Sequence, residues 1–151
     1  MLVSLKTGDV QAYNHLDKGD IFQATVSTSG ASAQDYDALV LPGGVSNPDQ
    51  LRIDSDAVAL VKAFVDAGKP VAVICHGSWT LVEADVVRGR RLTSWPSLQT
   101  DLRNAGATWI DEAVVVCEAG ANVIVSSRKP DDLPAFNTAM VEAFAAAAAN
   151  S

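Results

Sequence analysis

The sequence has little cysteine and little histidine, and each scarcity excludes a class of site. Only two cysteines and two histidines occur among its 151 residues. Two cysteines cannot form the dense disulfide framework of a small secreted protein, so a reducing cytoplasm is the expected compartment. The same four residues do not provide the ligand spacing of a zinc site. We therefore expect no protein-bound metal.

Basic residues are also scarce, and no apolar run is long enough to cross a membrane. Eleven lysines and arginines stand against 18 acidic residues, which gives a formal net charge of −7 and a pI near 4.6. A surface of this sign repels phosphate, so we expect neither a nucleic-acid nor an anionic-membrane partner. The densest basic segment, residues 88–91, is short and is predicted to be a solvated loop. Residues 1–6 are too short for the apolar core of a signal peptide.

Hydrophobic residues, by contrast, make up 48% of the chain. This is enough to bury a substantial core in one domain, predicted to span residues 1–151. Residues 38–41 and 71–74 are apolar runs of strand length, typical of parallel strands that are buried on both faces. Further strands are predicted at 92–94 and, as a pair, at 114–116 and 123–125.

Segments of helical period separate these strands. Apolar residues recur at three-to-four spacing from Ala57 to Val65, with Asp54 or Ser55 as the N-cap and Gly68 as the stop. Other helices are predicted after Gly77, over 98–105 and from Pro134. Residues 1–37 lack a helical period: part of 2–5 reads as a strand and 10–26 as an irregular strand pair. Together these patterns predict an α/β fold, a mainly parallel sheet covered by helices on both faces.

The chain places its adjacent cysteine and histidine, Cys75 and His76, directly after one of the buried strands. Gly43 and Gly44 directly follow another. Active groups of open parallel sheets lie beyond the carboxyl ends of the strands. A sharp strand-to-helix turn at Cys75 would expose its sulfur near free N–H groups and a positive helix end, which favours the thiolate. The backbone N–H groups of Gly44 and His76 are then candidate oxyanion donors. The alternative is that Cys75 is an ordinary small buried hydrophobe.

Five short motifs resemble the PfpI family, whose members are intracellular cysteine hydrolases of the class I glutamine-amidotransferase-like superfamily. They are L-P-G-G at 41–44, I-C-H-G at 74–77, G-R-R at 89–91, T-S-W-P at 93–96 and S-R-K-P-D-D-L at 127–133. Family members are described as proteases, or as deglycases that repair methylglyoxal- and glyoxal-modified groups. The resemblance implies a flavodoxin-like sandwich and a homodimer or hexamer. It also implies Cys75 as nucleophile with His76 as partner, Gly44 in the oxyanion site and Trp95 at the pocket.

The sequence departs from the family pattern in its support for the thiol. Relatives usually begin with a further strand, a loop carrying a glutamate that bonds the sulfur, and a helix, whereas Met1 aligns near their second strand. We therefore expect this first strand and helix to be missing. Hexameric relatives can supply a carboxylate from a neighbouring subunit, at a position that Ser55 occupies here. Asp54 or Asp56 could substitute, although a helix cap with a first-turn acid is the preferred interpretation. No histidine follows His76, so the triad of glutamine amidotransferases cannot be built within this chain, and glutaminase activity is disfavoured.

Several other residues receive structural interpretations. Cys117 is predicted to be a core residue, or less favourably a resolving partner for Cys75. Trp79 and Trp109 are predicted to be core or interface aromatics. Surface ion pairs are expected to involve Asp101 with Arg103 and Arg128 with Asp131.

The leading hypothesis is a cofactor-free cysteine hydrolase that acts on glyoxal-derived adducts or on peptides. The sequence does not decide between these two substrates, because both need the same nucleophile and oxyanion site. One alternative is a non-enzymatic stress or redox protein whose Cys75 oxidises and alters chaperone-like binding. The other is an inactive, shortened paralogue.

Overall fold

Strands and helices alternate along the chain, as the sequence pattern predicts. A computed structural model describes residues 1–149, so the predicted domain of residues 1–151 includes two residues outside this description. The strands are β1 (Val3–Ser4), β2 (Gly8–Asn14), β3 (Asp17–Ala24), β4 (Val26–Ser27), β5 (Leu39–Leu41), β6 (Val71–Ile74), β7 (Arg91–Leu92), β8 (Thr108–Trp109), β9 (Val114–Cys117) and β10 (Ile124–Ser127). The α-helices are α1 (Ser46–Leu51), α2 (Ser55–Asp66), α3 (Ser78–Glu83), α4 (Gln99–Asn104) and α5 (Leu133–Ala149).

The central sheet has the strand order β5-β6-β10-β9. β5, β6 and β10 run parallel, and β9 runs antiparallel to β10. This confirms the mainly parallel sheet and the predicted strand pair. Leu41 pairs with Val73 at the ends of β5 and β6. The two segments that follow these strands therefore leave the same edge of the sheet side by side.

Apolar side chains cover both faces of the sheet, which explains why its strands are continuously apolar. On one face, Val71, Val73 and Ile124 belong to a core that includes Phe64 and Leu81 from the helices. On the other face, two buried strand residues pack with side chains of α5: Ala72, Val125, Phe136, Met140 and Phe144. The predicted helices on both faces are confirmed.

Helix α2 shows how the local sequence sets an element that leads back into the sheet. Asp54 caps its start, and its Oδ1 accepts a hydrogen bond from the Ala57 N–H at 2.7 Å. The helix ends at Asp66, and two residues later Gly68, whose φ of +73° favours glycine, closes the end by donating its N–H to the Val65 carbonyl. The Lys69 N–H donates to the Phe64 carbonyl, and β6 begins two residues after Lys69.

The segment before β5 is a hairpin rather than a strand–helix unit. β2 and β3 pair antiparallel with a register shift between Gln11 and Tyr13, in agreement with the predicted irregular pair. β1 pairs in parallel with β4. The sequence pattern does not predict two short elements: α1 has a single large apolar residue among its six, and β8 is only two residues long. β7 ends at Leu92, earlier than predicted.

The basic segment at 88–91 is not uniformly solvated, and the prediction is wrong for Arg90. This side chain is 4% exposed, and its guanidinium donates to both the backbone carbonyl and the side-chain oxygen of Asn122. Charged groups are buried at low cost only when they are hydrogen-bonded, so the Asn122 contacts account for this position.

Over residues 1–149, no helix combines the length and the apolar character needed to cross a membrane.

Candidate active site

The candidate nucleophile lies at a sharp turn between β6 and α3. Cys75 begins a 3₁₀ turn, Cys75–Gly77, that leads directly into α3. Its φ is +62°, in the left-handed region, which costs a non-glycine residue about 1–2 kcal/mol. Ile74 just before it is still extended. The turn therefore directs the Cys75 side chain away from the strand, as in the strained nucleophile turns of other α/β enzymes.

Two glycines allow the neighbouring loops to meet at this turn. A Cβ on Gly43 would lie 2.7 Å from the Cys75 Cβ and 3.4 Å from its Sγ. A Cβ on Gly77 would lie 3.0 Å from the carbonyl oxygens of Leu41 and Pro42. Real Cβ atoms do not tolerate the first distance, so the loop after β5 packs on Cys75 only because residue 43 has no side chain.

The side chain of His76 lies beside the thiol. The His76 Nδ1 and the Cys75 Sγ are 3.2 Å apart, and His76 is 8% exposed. Burial lowers the pKa of His76, so the imidazole is neutral at neutral pH. Burial also raises the pKa of Cys75, by more than hydrogen bonds from two backbone N–H groups lower it. The expectation that the turn favours the thiolate is wrong in its net direction. The resting pair is a thiol beside a neutral imidazole.

The two backbone donors are those of His76 and Gly44, and both lower the pKa of the Cys75 thiol. Gly44 has a φ of +78°, a conformation that favours glycine. Because these N–H groups are close enough to the sulfur to lower its pKa, they lie next to the position of a substrate carbon bonded to it. This geometry suits stabilisation of an oxygen anion on that carbon.

Trp95 borders the same site. Its backbone N–H donates to the Cys75 carbonyl at 3.2 Å, and its ring stacks on His76 with centroids 5.9 Å apart and planes at 23°. The side chain is 38% exposed. The five residues that the sequence motifs indicate separately therefore adjoin one another: Cys75, His76, Gly43, Gly44 and Trp95.

Trp79, which the sequence predicts to be a core or interface aromatic, also lies at this site. The Trp79 ring meets His76 edge-on, with centroids 5.1 Å apart and planes at 65°. Its indole N–H donates to Asp101 Oδ2 at 2.9 Å, and the Arg52 guanidinium lies 5.5 Å from the ring centroid. One signal was available in the sequence: residue 79 follows His76 by three, the spacing of neighbours on a helix face.

The two candidate acids lie at the start of α2. Asp54 is its N-cap and also accepts from the Thr28 hydroxyl at 3.1 Å, while Asp56 lies exposed in the first turn. Within one chain, the cap interpretation accounts for Asp54. Support of a thiol in another subunit stays a prediction. Among residues 1–149, no group of three or more histidine, cysteine or acidic side chains could hold a metal. Cys117 is 3% exposed, which confirms the core interpretation.

Comparisons with known proteins agree on one family. A model of the DJ-1/PfpI family matches residues 2–143. The chain is 52% identical over 103 residues to "Protein/nucleic acid deglycase 2" of Escherichia coli (strain K12). It is 43% identical over 135 residues to "Putative cysteine protease YraA" of Bacillus subtilis (strain 168). Among solved structures, it superimposes on a ThiJ/PfpI domain protein from Brachyspira murdochii with a TM-score of 0.82 at 26% identity.

These matches cover different shares of the proteins compared. The deglycase match includes 68% of this chain and 58% of the E. coli protein, less than two thirds of its length. The YraA match includes 89% of this chain and 75% of that protein. The structural match includes 95% of this chain and 78% of the Brachyspira protein.

Proposed function

Because this chain belongs to the DJ-1/PfpI family, we propose that it is a cysteine-dependent hydrolase with Cys75 as its nucleophile. The observation that carries the proposal is the turn at Cys75, where Sγ lies 3.2 Å from His76 Nδ1 and the backbone N–H groups of His76 and Gly44 lower the pKa of the thiol. A buried packing cysteine needs neither a left-handed backbone nor an imidazole partner. Cys117, which has an extended-strand position, illustrates the contrast.

The proposed substrates are adducts of methylglyoxal or glyoxal with amines. The Cys75 sulfur bonds to the carbinol carbon of the adduct while the C–N bond breaks, and the amine leaves with a proton. In the resulting hemithioacetal, the proton on the carbinol carbon moves to the adjacent carbonyl carbon and the hydroxyl proton moves to the carbonyl oxygen, which yields a thioester of a 2-hydroxy acid. Water then cleaves the thioester and restores the thiol. The sum is adduct plus water giving amine plus 2-hydroxy acid, so no external oxidant, reductant or cofactor is consumed.

His76 and the backbone donors have defined tasks in this sequence. Because the pKa of His76 is lowered and that of Cys75 is raised, the pair starts neutral. His76 therefore acts as a general base that takes the thiol proton as the sulfur attacks, and then returns it to the leaving amine. The N–H groups of Gly44 and His76 stabilise the oxygen that becomes negative. Asp54 or Asp56 of a neighbouring subunit in a homodimer or hexamer would support the imidazole.

Peptide cleavage is the second candidate, since the Bacillus relative carries a protease name and the same groups can form an acyl-enzyme. The name of the E. coli relative includes nucleic acid as well as protein. The net charge of −7 favours free or protein-borne adducts over adducts on DNA. The two free thiols favour a reducing cytoplasm as the place of action.

The test is turnover by wild type, Cys75→Ala and Cys117→Ala proteins. N-acetylarginine, N-acetyllysine and DNA are each treated with methylglyoxal, and the release of lactate from each is measured. Peptide cleavage is measured separately, with casein as the substrate. We expect lactate from the amino-acid adducts with wild type and Cys117→Ala, and none with Cys75→Ala. Lactate release that persists in Cys75→Ala, or mild peroxide oxidation of Cys75 in a protein that turns over no substrate, would refute the proposal.

A further inference from the structure

Within its own chain, the imidazole of His76 is held between two tryptophans, and no carboxylate of residues 1–149 bonds to it. Trp95 stacks on the ring and Trp79 meets it edge-on. Over residues 1–149, the His76 ring has its hydrogen-bond contact with Cys75 and no second side-chain hydrogen bond. In most catalytic pairs of this kind, a third group bonded to the imidazole sets its orientation. In this chain, the contacts with the two tryptophan rings are what can set the orientation of the imidazole.

The two tryptophans are not equally constrained. Trp95 is 38% exposed, and its contact with the site includes its own backbone. Trp79 is half-buried, and side chains from other elements fix its ring. Asp101 of α4 accepts from the indole N–H, and Arg52, at the end of α1, lies over the ring face. Arg52 is itself paired with Glu83 of α3, at 3.5 Å. The orientation of Trp79 therefore depends on three short helices.

We propose that Trp79 is a positioning residue that keeps His76 Nδ1 directed at the Cys75 sulfur, and that Asp101 and Arg52 act by fixing the indole. The inference rests on the proposed function only in taking Cys75 as the reactive thiol. Because the indole is held at its N–H and at one face, it does not rotate away from His76, and the imidazole that packs against it keeps its plane. Without that contact, His76 has rotamers in which Nδ1 no longer reaches the thiol.

Asp101 is the best place to perturb this arrangement, because it is exposed and touches neither Cys75 nor His76. Asp101→Ala removes the acceptor for the indole N–H. Asp101→Asn removes the charge but keeps an acceptor oxygen. In both variants the charged groups that remain around Trp79 are Arg52 and Glu83. Asp66→Ala is the matched control, because Asp66 is an exposed helix carboxylate that pairs with Lys62.

The measurement is the pH dependence of Cys75 alkylation by iodoacetamide, followed by peptide mass spectrometry. We expect Asp101→Ala and Trp79→Phe to slow alkylation at neutral pH by about tenfold, part of the 10²–10⁴-fold that a positioned base contributes. Their profiles should approach that of His76→Ala. Asp101→Asn and Asp66→Ala should retain the wild-type profile.

A purely structural role for the indole would lower the melting temperature and leave this profile unchanged. Wild-type alkylation profiles in both Asp101→Ala and Trp79→Phe, in samples that circular dichroism shows to be folded, would overturn the proposal. Alkylation does not require turnover. If wild type releases no lactate but Asp101→Ala still loses neutral-pH alkylation, the positioning role stands and the proposed function fails.

Discussion

Gly43→Ala tests the close approach on which the candidate site depends. The added Cβ would lie 2.7 Å from the Cys75 Cβ and 3.4 Å from its Sγ. The backbone of Gly43 is not left-handed, so alanine brings no conformational strain of its own. The substitution therefore acts through the collision of the new methyl group with Cys75. Either Cys75 moves away or the loop that carries Gly44 is pushed back.

The expected loss of stability follows from this collision. Overpacking a filled site by one methyl group costs about 1–3 kcal/mol of unfolding free energy. For a domain of this length, each kcal/mol lowers the melting temperature by about 2–4 °C, which gives a fall of roughly 2–12 °C. The displaced sulfur also loses its alignment with His76 and with the Gly44 N–H, so Cys75 alkylation at neutral pH should slow as well.

Gly89→Ala is the matched control. Gly89 has a φ of +74° and no atom within 4 Å of its missing Cβ. Alanine there costs about 1–2 kcal/mol through backbone strain alone, and Cys75 should alkylate at the wild-type rate. Thermal unfolding by circular dichroism and alkylation by mass spectrometry measure both effects. An unchanged melting temperature together with an unchanged alkylation rate in Gly43→Ala would refute the reasoning.

Two further predictions concern side-chain contacts within the chain that do not involve Cys75. Asp54→Ala removes the acceptor for the Ala57 N–H and the Thr28 hydroxyl. Urea unfolding should show that the free energy of unfolding falls by about 1 kcal/mol, and by less in Asp54→Asn. Equal stability of the wild type and both variants would contradict the capping role. Arg128 lowers the pKa of Asp132 through two hydrogen bonds. The stability from this pair is therefore present above about pH 3.9, the ordinary value, and is lost as pH falls through the lowered one. The advantage of wild type over Asp132→Asn should shrink in acid, and an advantage independent of pH would exclude this role.

The parts of the fold that the sequence predicts are those set by local pattern. The apolar runs before Gly43 and Cys75 identify two buried strands, and parallel pairing brings their ends together. Helix α2 follows from its cap, its three-to-four spacing and Gly68. These features need only neighbours in sequence and one rule of sheet topology.

Contacts between distant residues were beyond such reasoning. Trp79 and Asp101 are 22 residues apart, and Arg90 and Asn122 are 32 apart. The pKa directions at the thiol depend on how deeply the assembled fold buries it, which no local pattern reports.

The ion pairs of the S-R-K-P-D-D-L motif also differ from those that the sequence predicts. Arg128 pairs with Asp132 and with Asp111, whereas Asp131, the predicted partner, lies near Lys129. The 3₁₀ turn at Pro130–Asp132 buries the second aspartate and exposes the first. Sequence adjacency alone did not distinguish them.

If turnover depends on the thiol of Cys75, activity and the free thiol must disappear together when the wild-type protein is titrated with an alkylating agent. Iodoacetamide is added in steps, the alkylated fraction of each cysteine is measured by peptide mass spectrometry, and lactate release from methylglyoxal-treated N-acetylarginine is measured on the same samples. We predict that activity falls in proportion to the alkylated fraction of Cys75 and reaches zero while Cys117, buried in the sheet, is still unmodified. Activity that persists when Cys75 is fully alkylated would contradict the account.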